Sequence, residues 1–286
     1  MLISDSKAPV YDEIIRAIAD AKVLKPDDVL ILSLSAQSIF KVLYYSMTGR
    51  RIIYYLHEPQ QITFDKFKKT DLKVFLKAVI LNFVNYFIIA ASTVVACDNK
   101  QVQFKLKNTY GFKKTTILPL LYEPKRYVKQ KQQTITVGFI GRIDPKRPLP
   151  TIRKRSPFIE YHVLTSSTVS KKEQYQIVQK KYDDFEKNSF MNQASLICVA
   201  NFNEYSQSSV VIECLYRKKP VIVSAFDPYK NLIQQIDVRC VVSSEEGIIE
   251  LITDPDLIKS ISKNWENSPL LDTFHEERLR YWKNTL

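Results

Sequence analysis

Two stretches of the chain gather side chains that could hold an anion. In VGFIGRIDPKRP, residues 137–148, an apolar run reads as a strand that ends at Gly141 and is followed at once by Arg142, Lys146 and Arg147. Cations fixed at a strand mouth can meet a pyrophosphate, because an Arg fork engages phosphate oxygens bidentately. The same residues also fit a solvated basic loop. In NEYSQSSVVIECLYRKKPVIVSAF, residues 203–226, Ser206, Ser208 and Ser209 precede an apolar helical run. One of them is expected to cap that helix, whose free first amides attract an anion. Glu213, one turn after Ser209, could accept hydrogen bonds from adjacent sugar hydroxyls or, as a surface residue, pair with Arg217 at i+4. His57 ends the run RIIYYLHEP, as a ligand or as a histidine packed at a strand end.

Other chemistries find little support. Cys97, Cys198, Cys214 and Cys240 are scattered, no CxxC occurs, and His57, His162 and His275 lie far from any cysteine, so no structural metal is expected. The chain holds five glycines, and neither GxGxxG nor GxxxxGK[ST] is present, which removes the usual support for dinucleotide dehydrogenases and P-loop ATPases. Asp254-Pro255-Asp256 is formally a metal-binding DxD, but it follows a helical run, and Asp-Pro at a helix start is explained by capping.

The elements that position these groups follow from apolar patterning. The chain has 286 residues, 45% of them hydrophobic and 25% charged, as in an ordinary soluble globule of one or two domains. Helical spacing of Val10, Tyr11, Ile14, Ile15 and Ile18 places a helix near the start, and no glycine precedes Gly49. Short apolar strands at Val29 to Leu32, Arg51 to Leu56 and Thr115 to Leu118 alternate with helices, at Ile39 to Tyr45 and at Asn99 to Asn108, the latter ended by Gly111. Ala78 to Cys97 lacks charge but is interrupted by Asn82, Asn85, Ser92 and Thr93, so it reads as a buried helix feeding a strand rather than a membrane span. EPKRYVKQKQQ, residues 123–133, is the expected linker. The alternation then restarts, with strands at Ile135 to Ile140, Tyr161 to Leu164, Leu196 to Val199, Val221 to Val223 and Val238 to Val242, and only helices after Asp254. This rhythm predicts two parallel sheets covered on both faces.

The net charge of +12 is divided evenly, with 17 basic and 11 acidic residues up to Glu123 and 25 and 19 after it. An anionic partner is favoured, but the spread and the lack of a recognisable motif argue against nucleic acid. Lys66, Lys68, Lys69, Lys73 and Lys77 precede and run along a helix bearing Leu72, Phe75, Leu76 and Val79, which would suit an anionic leaflet or a solvated basic face. The start MLISDSKAP has no secretory pattern. A cytoplasmic protein with reduced thiols, peripheral at the inner face of a membrane, is the expectation.

Together the two anion-binding stretches resemble the retaining GT-B glycosyltransferases of glycosyltransferase family 4. FIGRIDPKRP is similar to their GR-L-D-P-x-K-G turn, with Arg142 on the arginine and Arg147 on the lysine that hold the donor diphosphate. The second stretch resembles their E-x7-E helix followed by G-K-P-V-I, with Glu213 on the glutamate that binds the nucleotide ribose and Lys219, Pro220 and Val221 continuing the match. Eight residues before Glu213 stands Tyr205, with Glu204 one position earlier, so the first glutamate is replaced or displaced. ASTVVACDNK is similar to the family's A-D-x-V-I-x-V-S element, TTILPLLYEPKRY to its V-I-P-N-G-V-D-x-x-R-F segment that crosses between the domains, and RIIYYLHEP to the strand whose histidine, here His57, approaches the donor sugar.

The resemblance implies an α/β GT-B fold, two Rossmann-like doubly wound domains facing a cleft. Residues 1–123 would form an acceptor domain lacking the family's opening strand and Gly-rich turn, residues 124–270 a donor domain, and residues 271–286 a helix whose Phe274, Leu279 and Trp282 dock on the first domain. It implies transfer of a sugar from a nucleotide diphosphate sugar to a hydroxyl of a glycan or lipid-linked acceptor, in cell-surface glycan or polysaccharide synthesis. Arg142, Arg147 and His57 would be catalytic, while Lys146, Glu204, Tyr205, Ser208, Ser209 and Glu213 would bind the donor, with no metal or cofactor. The alternative is a non-catalytic scaffold or binding subunit of the same fold.

Overall fold

A computed structural model describes residues 2–3, 9–32, 36–55, 72–98, 100–110, 115–122, 134–141, 143, 149–153, 156–169, 174–180, 182–200, 202 and 208–285. The chain divides into two compact units, Met1–Leu121 with Glu277–Leu286, and Tyr122–Glu276. The expected linker and Gly111 lie outside the described residues.

In the first unit five parallel strands, β1 (Leu2–Ile3), β2 (Asp28–Ile31), β3 (Arg51–Tyr55), β4 (Val94–Cys97) and β5 (Thr115–Ile117), stand side by side in chain order. The helices α1 (Pro9–Asp20), α2 (Ala36–Met47), α3 (Leu72–Ala91) and α4 (Lys100–Tyr110) lie between them in sequence. β2, β3 and β4 are buried almost throughout, as strands covered on both faces must be. On one face Val29 and Ile31, Ile52 and Tyr54, and Val95 and Cys97 form a core with Val42 and Tyr45 of α2, Val84, Ile88 and Ile89 of α3, and Leu106 of α4.

Two expectations are corrected here. The sheet does open with a strand, since Leu2 and Ile3 pair in parallel with Leu30 and Ile31; two residues carry too little periodicity to be read, and only pairing defines them. The helix feeding β4 is present but buried on one side only. Leu76, Val79, Ile80, Phe83 and Tyr86 are exposed along its other side.

The carboxyl ends of β3, β4 and β5 are gathered on one buried carboxylate. Asp98 Oδ1 accepts from the Leu120 amide at 2.7 Å, from Arg278 Nη2 at 2.8 Å and from the Tyr55 hydroxyl at 3.5 Å. Arg278 lies on α10 (Pro269–Thr285), its Nε donating to the Leu120 carbonyl at 2.8 Å, and Trp282 one turn on donates its indole N–H to the Pro119 carbonyl at 2.7 Å. The last turns of the chain are thereby fastened within the first unit, with Trp282 fully buried and Leu279 half-buried.

The second unit holds six parallel strands, β6 (Ile135–Ile140), β7 (Ile159–Thr165), β8 (Gln176–Gln179), β9 (Leu196–Cys198), β10 (Val221–Ser224) and β11 (Val241–Val242), in the order β11-β10-β9-β6-β7-β8. Its helices are α5 (Asp184–Gln193), α6 (Ser209–Tyr216), α7 (Lys230–Ile236), α8 (Glu245–Ile252), α9 (Pro255–Glu266) and the start of α10. β8 escapes the apolar pattern because it is a short, mostly exposed edge strand with only Ile177 and Val178 between two glutamines. The strand expected over Val238 to Val242 is shorter: Val238–Cys240 is a 3-10 turn whose first residues are capped by Asp237, which accepts from the Arg239 amide at 3.1 Å. Gly138 on β6 is required by packing, since a Cβ there would meet Ile197 Cδ1 and Phe190 Cε1 at 2.9 Å.

Replacing Arg278 with Met leaves Asp98 buried without its cationic partner and is expected to cost roughly 3–5 kcal/mol, read as a lower urea midpoint by far-UV circular dichroism. Gly138→Ala overfills the contact between β6, β9 and α5 and is expected to cost about 1–3 kcal/mol in the same measurement.

Candidate functional site

In the second sheet the strand order reverses between β6 and β9: from β6 the chain steps to β7 and β8 on one side, whereas β9 leads to β10 and β11 on the other. Crossover connections are right-handed, so loops leaving two such neighbours diverge and open a crevice at the strands' carboxyl ends, where ligands of open α/β sheets bind. Both anion-binding stretches read from the sequence leave the sheet here. One follows β6 and the other joins β9 to α6.

Gly141 ends β6 with φ +104, a backbone state that costs a glycine little, and a Cβ built there would meet nothing within 4 Å. Its glycine is therefore demanded by conformation, not by space. The loop it opens is anchored on both flanks. The Gly141 amide donates to the Leu164 carbonyl at 3.0 Å and the Ile143 amide to Ser167 Oγ at 3.1 Å, tying the start of the loop to the end of β7. At its far side Leu149 and Pro150 are buried, the Pro150 carbonyl accepts from the Tyr175 hydroxyl at 2.6 Å, and the Thr151 amide donates to Glu245 Oε1 at 3.0 Å. Arg142, Lys146 and Arg147 lie between these anchors in sequence and outside the described residues.

After β9, α6 starts at Ser209. Ser208 is its N-cap residue in extended conformation, but its hydroxyl makes no capping hydrogen bond, contrary to the expected cap. Ser206, Glu204 and Tyr205 lie outside the described residues, as does His57 after β3. Asp254, by contrast, is a true cap, its Oδ1 accepting from the amides of Asp256 at 2.9 Å and Leu257 at 3.1 Å, while Asp256 is exposed and pairs with Lys259 at 3.2 Å. Among the described residues no group of three or more His, Cys, Asp or Glu side chains is placed to hold a metal ion.

Glu213 is not the surface partner of Arg217. Its side chain is 2% exposed and Oε1 receives Lys187 Nζ of α5 at 3.0 Å, so two helices are joined by a buried ion pair. Arg217 turns to Asn188 and Asn192 of the same α5. Half-buried Tyr182 stands beside the pair: burial raises its phenol's pKa, the Lys187 ammonium lowers it, the Glu213 carboxylate raises it, and the balance is upward. Lys187 and Tyr182 escaped sequence reading because the partners are 26 or more residues from Glu213 and no local spacing announces them.

Past α6 the turn is equally constrained. Lys218 adopts φ +52, a left-handed state that favours glycine, in the turn where the family motif carries its glycine. Lys219 is fully buried, its ammonium donating to the Ala194 carbonyl ahead of β9. Burial pushes the Lys219 pKa down to about 8, with Cys214 opposing and Arg217 reinforcing the shift. The four cysteines are buried and form no disulfide, and burial pushes Cys198 and Cys240 up to about 12, so these two stay thiols at neutral pH.

No protein-family model and no curated protein sequence matches the chain. Solved structures do. HepE of Anabaena in complex with UDP-glucose is 13% identical with a TM-score of 0.58, over 89% of this chain and 78% of that one. A sucrose-phosphate synthase of Thermosynechococcus elongatus is 12% identical with a TM-score of 0.57, over 89% of this chain and 69% of that one. A UDP-forming alpha,alpha-trehalose-phosphate synthase of Burkholderia xenovorans in complex with glucose-6-phosphate is 9% identical with a TM-score of 0.56, over 96% of this chain and 75% of that one. The fold is GT-B, shared with these glycosyltransferases.

The Lys219 shift sets a pH dependence with a defined sign. Below about pH 8 the side chain is protonated in both states and its burial penalty is fully present; between about 8 and 10.5 the unfolded chain still holds the proton that the folded one has released. Folding stability relative to a Lys219→Met reference should therefore rise with pH across that window, as read from urea midpoints of the two proteins.

Proposed function

We propose that the chain is a retaining, metal-independent glycosyltransferase that resembles family 4 and moves a hexosyl group from a nucleotide diphosphate sugar to a hydroxyl. The observation that carries this reading is the reversal of strand order between β6 and β9, with the Gly141 turn leaving one strand and the start of α6 following the other. The cation-bearing loop of Arg142, Lys146 and Arg147 begins at that turn in sequence.

Arg142 and Arg147 hold the donor diphosphate, helped by Lys146 and by the amides at Ser208 and Ser209. The bond from the anomeric carbon to the diphosphate breaks through an oxocarbenium-like transition state, and the developing negative charge on the leaving oxygen meets these preorganised donors, the electrostatic contribution that commonly dominates. The acceptor hydroxyl forms the new bond on the same face, and its proton passes to the departing phosphate oxygen. His57 is assigned to orient the donor sugar, Glu213 to the ribose, and Glu204 or Tyr205 to the sugar hydroxyls. The contact with Lys187 fixes the Glu213 side chain, so the carboxylate offers acceptors without a search for its rotamer. UDP-glucose in HepE and UDP formation by the trehalose-phosphate synthase support a uridine donor. A glycan or lipid-linked acceptor, in cell-surface glycan or polysaccharide synthesis, completes the reading.

A second reading, a non-catalytic binding subunit, is favoured by Tyr205 standing where the motif has its first glutamate. One screen separates the two. UDP, GDP, CMP and their sugars are tested by thermal shift and then for transfer or donor hydrolysis. A donor at 100 times its Kd should add about 2.7 kcal/mol of stability, and Arg142→Ala should abolish the shift. Silence across all nucleotides overturns the proposal, and binding without turnover establishes the second reading.

A further inference from the structure

The outer sides of α2 and α3 are apolar where a solvated helix would be polar. On α2, Phe40, Leu43, Tyr44 and Met47 recur at helical spacing and are exposed, Phe40 by 73% and Met47 by 86%. On α3, Leu76, Val79, Ile80 and Phe83 repeat the same spacing and continue to Tyr86, with Phe83 exposed by 71%. Both helices bury their opposite sides in one core, through Val42 and Tyr45 on α2 and Val84, Ile88 and Ile89 on α3, and they pack against each other. Their outward stripes therefore lie side by side on the surface. Contiguous apolar surface of this extent marks an interaction site rather than scattered exposed residues.

Charge identifies the occupant. Neither helix carries an acidic residue, α2 carries Lys41, and Lys73 and Lys77 stand on the first two turns of α3. From Lys66 to Lys77 the chain has five lysines against one acidic residue, Asp71. An exposed apolar and aromatic face on helices whose sequences carry lysines and no acid matches the boundary between anionic headgroups and acyl chains, where cations near the surface add to the attraction. Among the described residues no helix is long and apolar enough to cross a membrane, so the face would lie on the surface and not span it.

We propose that the paired outer faces of α2 and α3 form a membrane-docking surface that inserts Phe40, Tyr44, Met47, Ile80 and Phe83 into the interface of an anionic leaflet. This goes beyond the glycosyltransferase reading and stands without it. Where both hold, the surface brings a lipid-linked acceptor to the enzyme.

Co-sedimentation of the full chain with vesicles of phosphatidylcholine plus phosphatidylglycerol, against phosphatidylcholine alone, tests the proposal. The protein should pellet with the anionic vesicles at low salt and be released as salt rises. The Phe40→Glu/Phe83→Glu variant changes only exposed positions and should fold, checked by circular dichroism. It should lose partitioning by about tenfold or more, and Lys73→Glu/Lys77→Glu should do likewise. Any nucleotide thermal shift should be the same in these variants as in the parent, which keeps this outcome distinct from that of the donor screen. Protein that stays in the supernatant with anionic vesicles overturns the proposal, as does binding that Phe40→Glu/Phe83→Glu leaves intact. A dimer of the parent that Phe83→Glu converts to monomer overturns it in favour of a second copy of the chain.

Discussion

Parallel strands can be joined only by crossovers, and crossovers keep one hand. From that constraint the site in the second unit follows. Once β9 takes its place on the far side of β6 from β7, the connections that leave β6 and β9 start at adjacent carboxyl ends and run to opposite sides of the sheet. The first sheet shows the contrast. Its described strands run in chain order without reversal, so its geometry creates no such crevice among them. The same fold element, repeated twice, thus has a topological switch point among the described strands of one unit by the order of those strands alone, and the proposed donor site is placed there.

Two buried ion pairs hold this framework in register. Glu213 with Lys187 couples α6 to α5, and Asp98 with Arg278 couples the last helix to the ends of β3, β4 and β5. Neither is explained by stability alone, since burying charge is costly and a well-packed apolar pair is often as stable. What a buried charge does enforce is a single arrangement, because removing either partner strands the other. Asp98 makes the point most fully, with a backbone amide, a guanidinium and a phenol converging on one oxygen. In the proposed donor site the same logic fixes the Glu213 carboxylate before any ligand arrives, which reduces the ordering cost of binding.

The first unit puts its unusual chemistry on its outside. Its interior is an ordinary aliphatic and aromatic core, yet α2 and α3 continue the apolar pattern around to the surface, and their sequences carry lysines but no acid. The proposed donor site and the proposed membrane face thus belong to different units, the first resting on strand order and the second on exposed apolar side chains.

Sequence alone determined the α/β alternation, nearly all of the described strands and the two segments that flank the reversal, because apolar periodicity and strand-ending glycines are local signals. The GT-B fold was legible through motifs such as GRIDPKRP and KKPVIV, whose backbone demands are local as well: Gly141 at positive φ, Lys219 and Pro220 leading into β10. Tertiary structure decided the rest. β1 exists only through its pairing with β2, and β8 only as the edge of a sheet. The choice of Lys187 over Arg217 as the partner of Glu213, and the exposure of one side of a helix whose sequence reads as buried, depend on which helix packs where. Such contacts join residues far apart in the chain, and no spacing rule reaches across that distance.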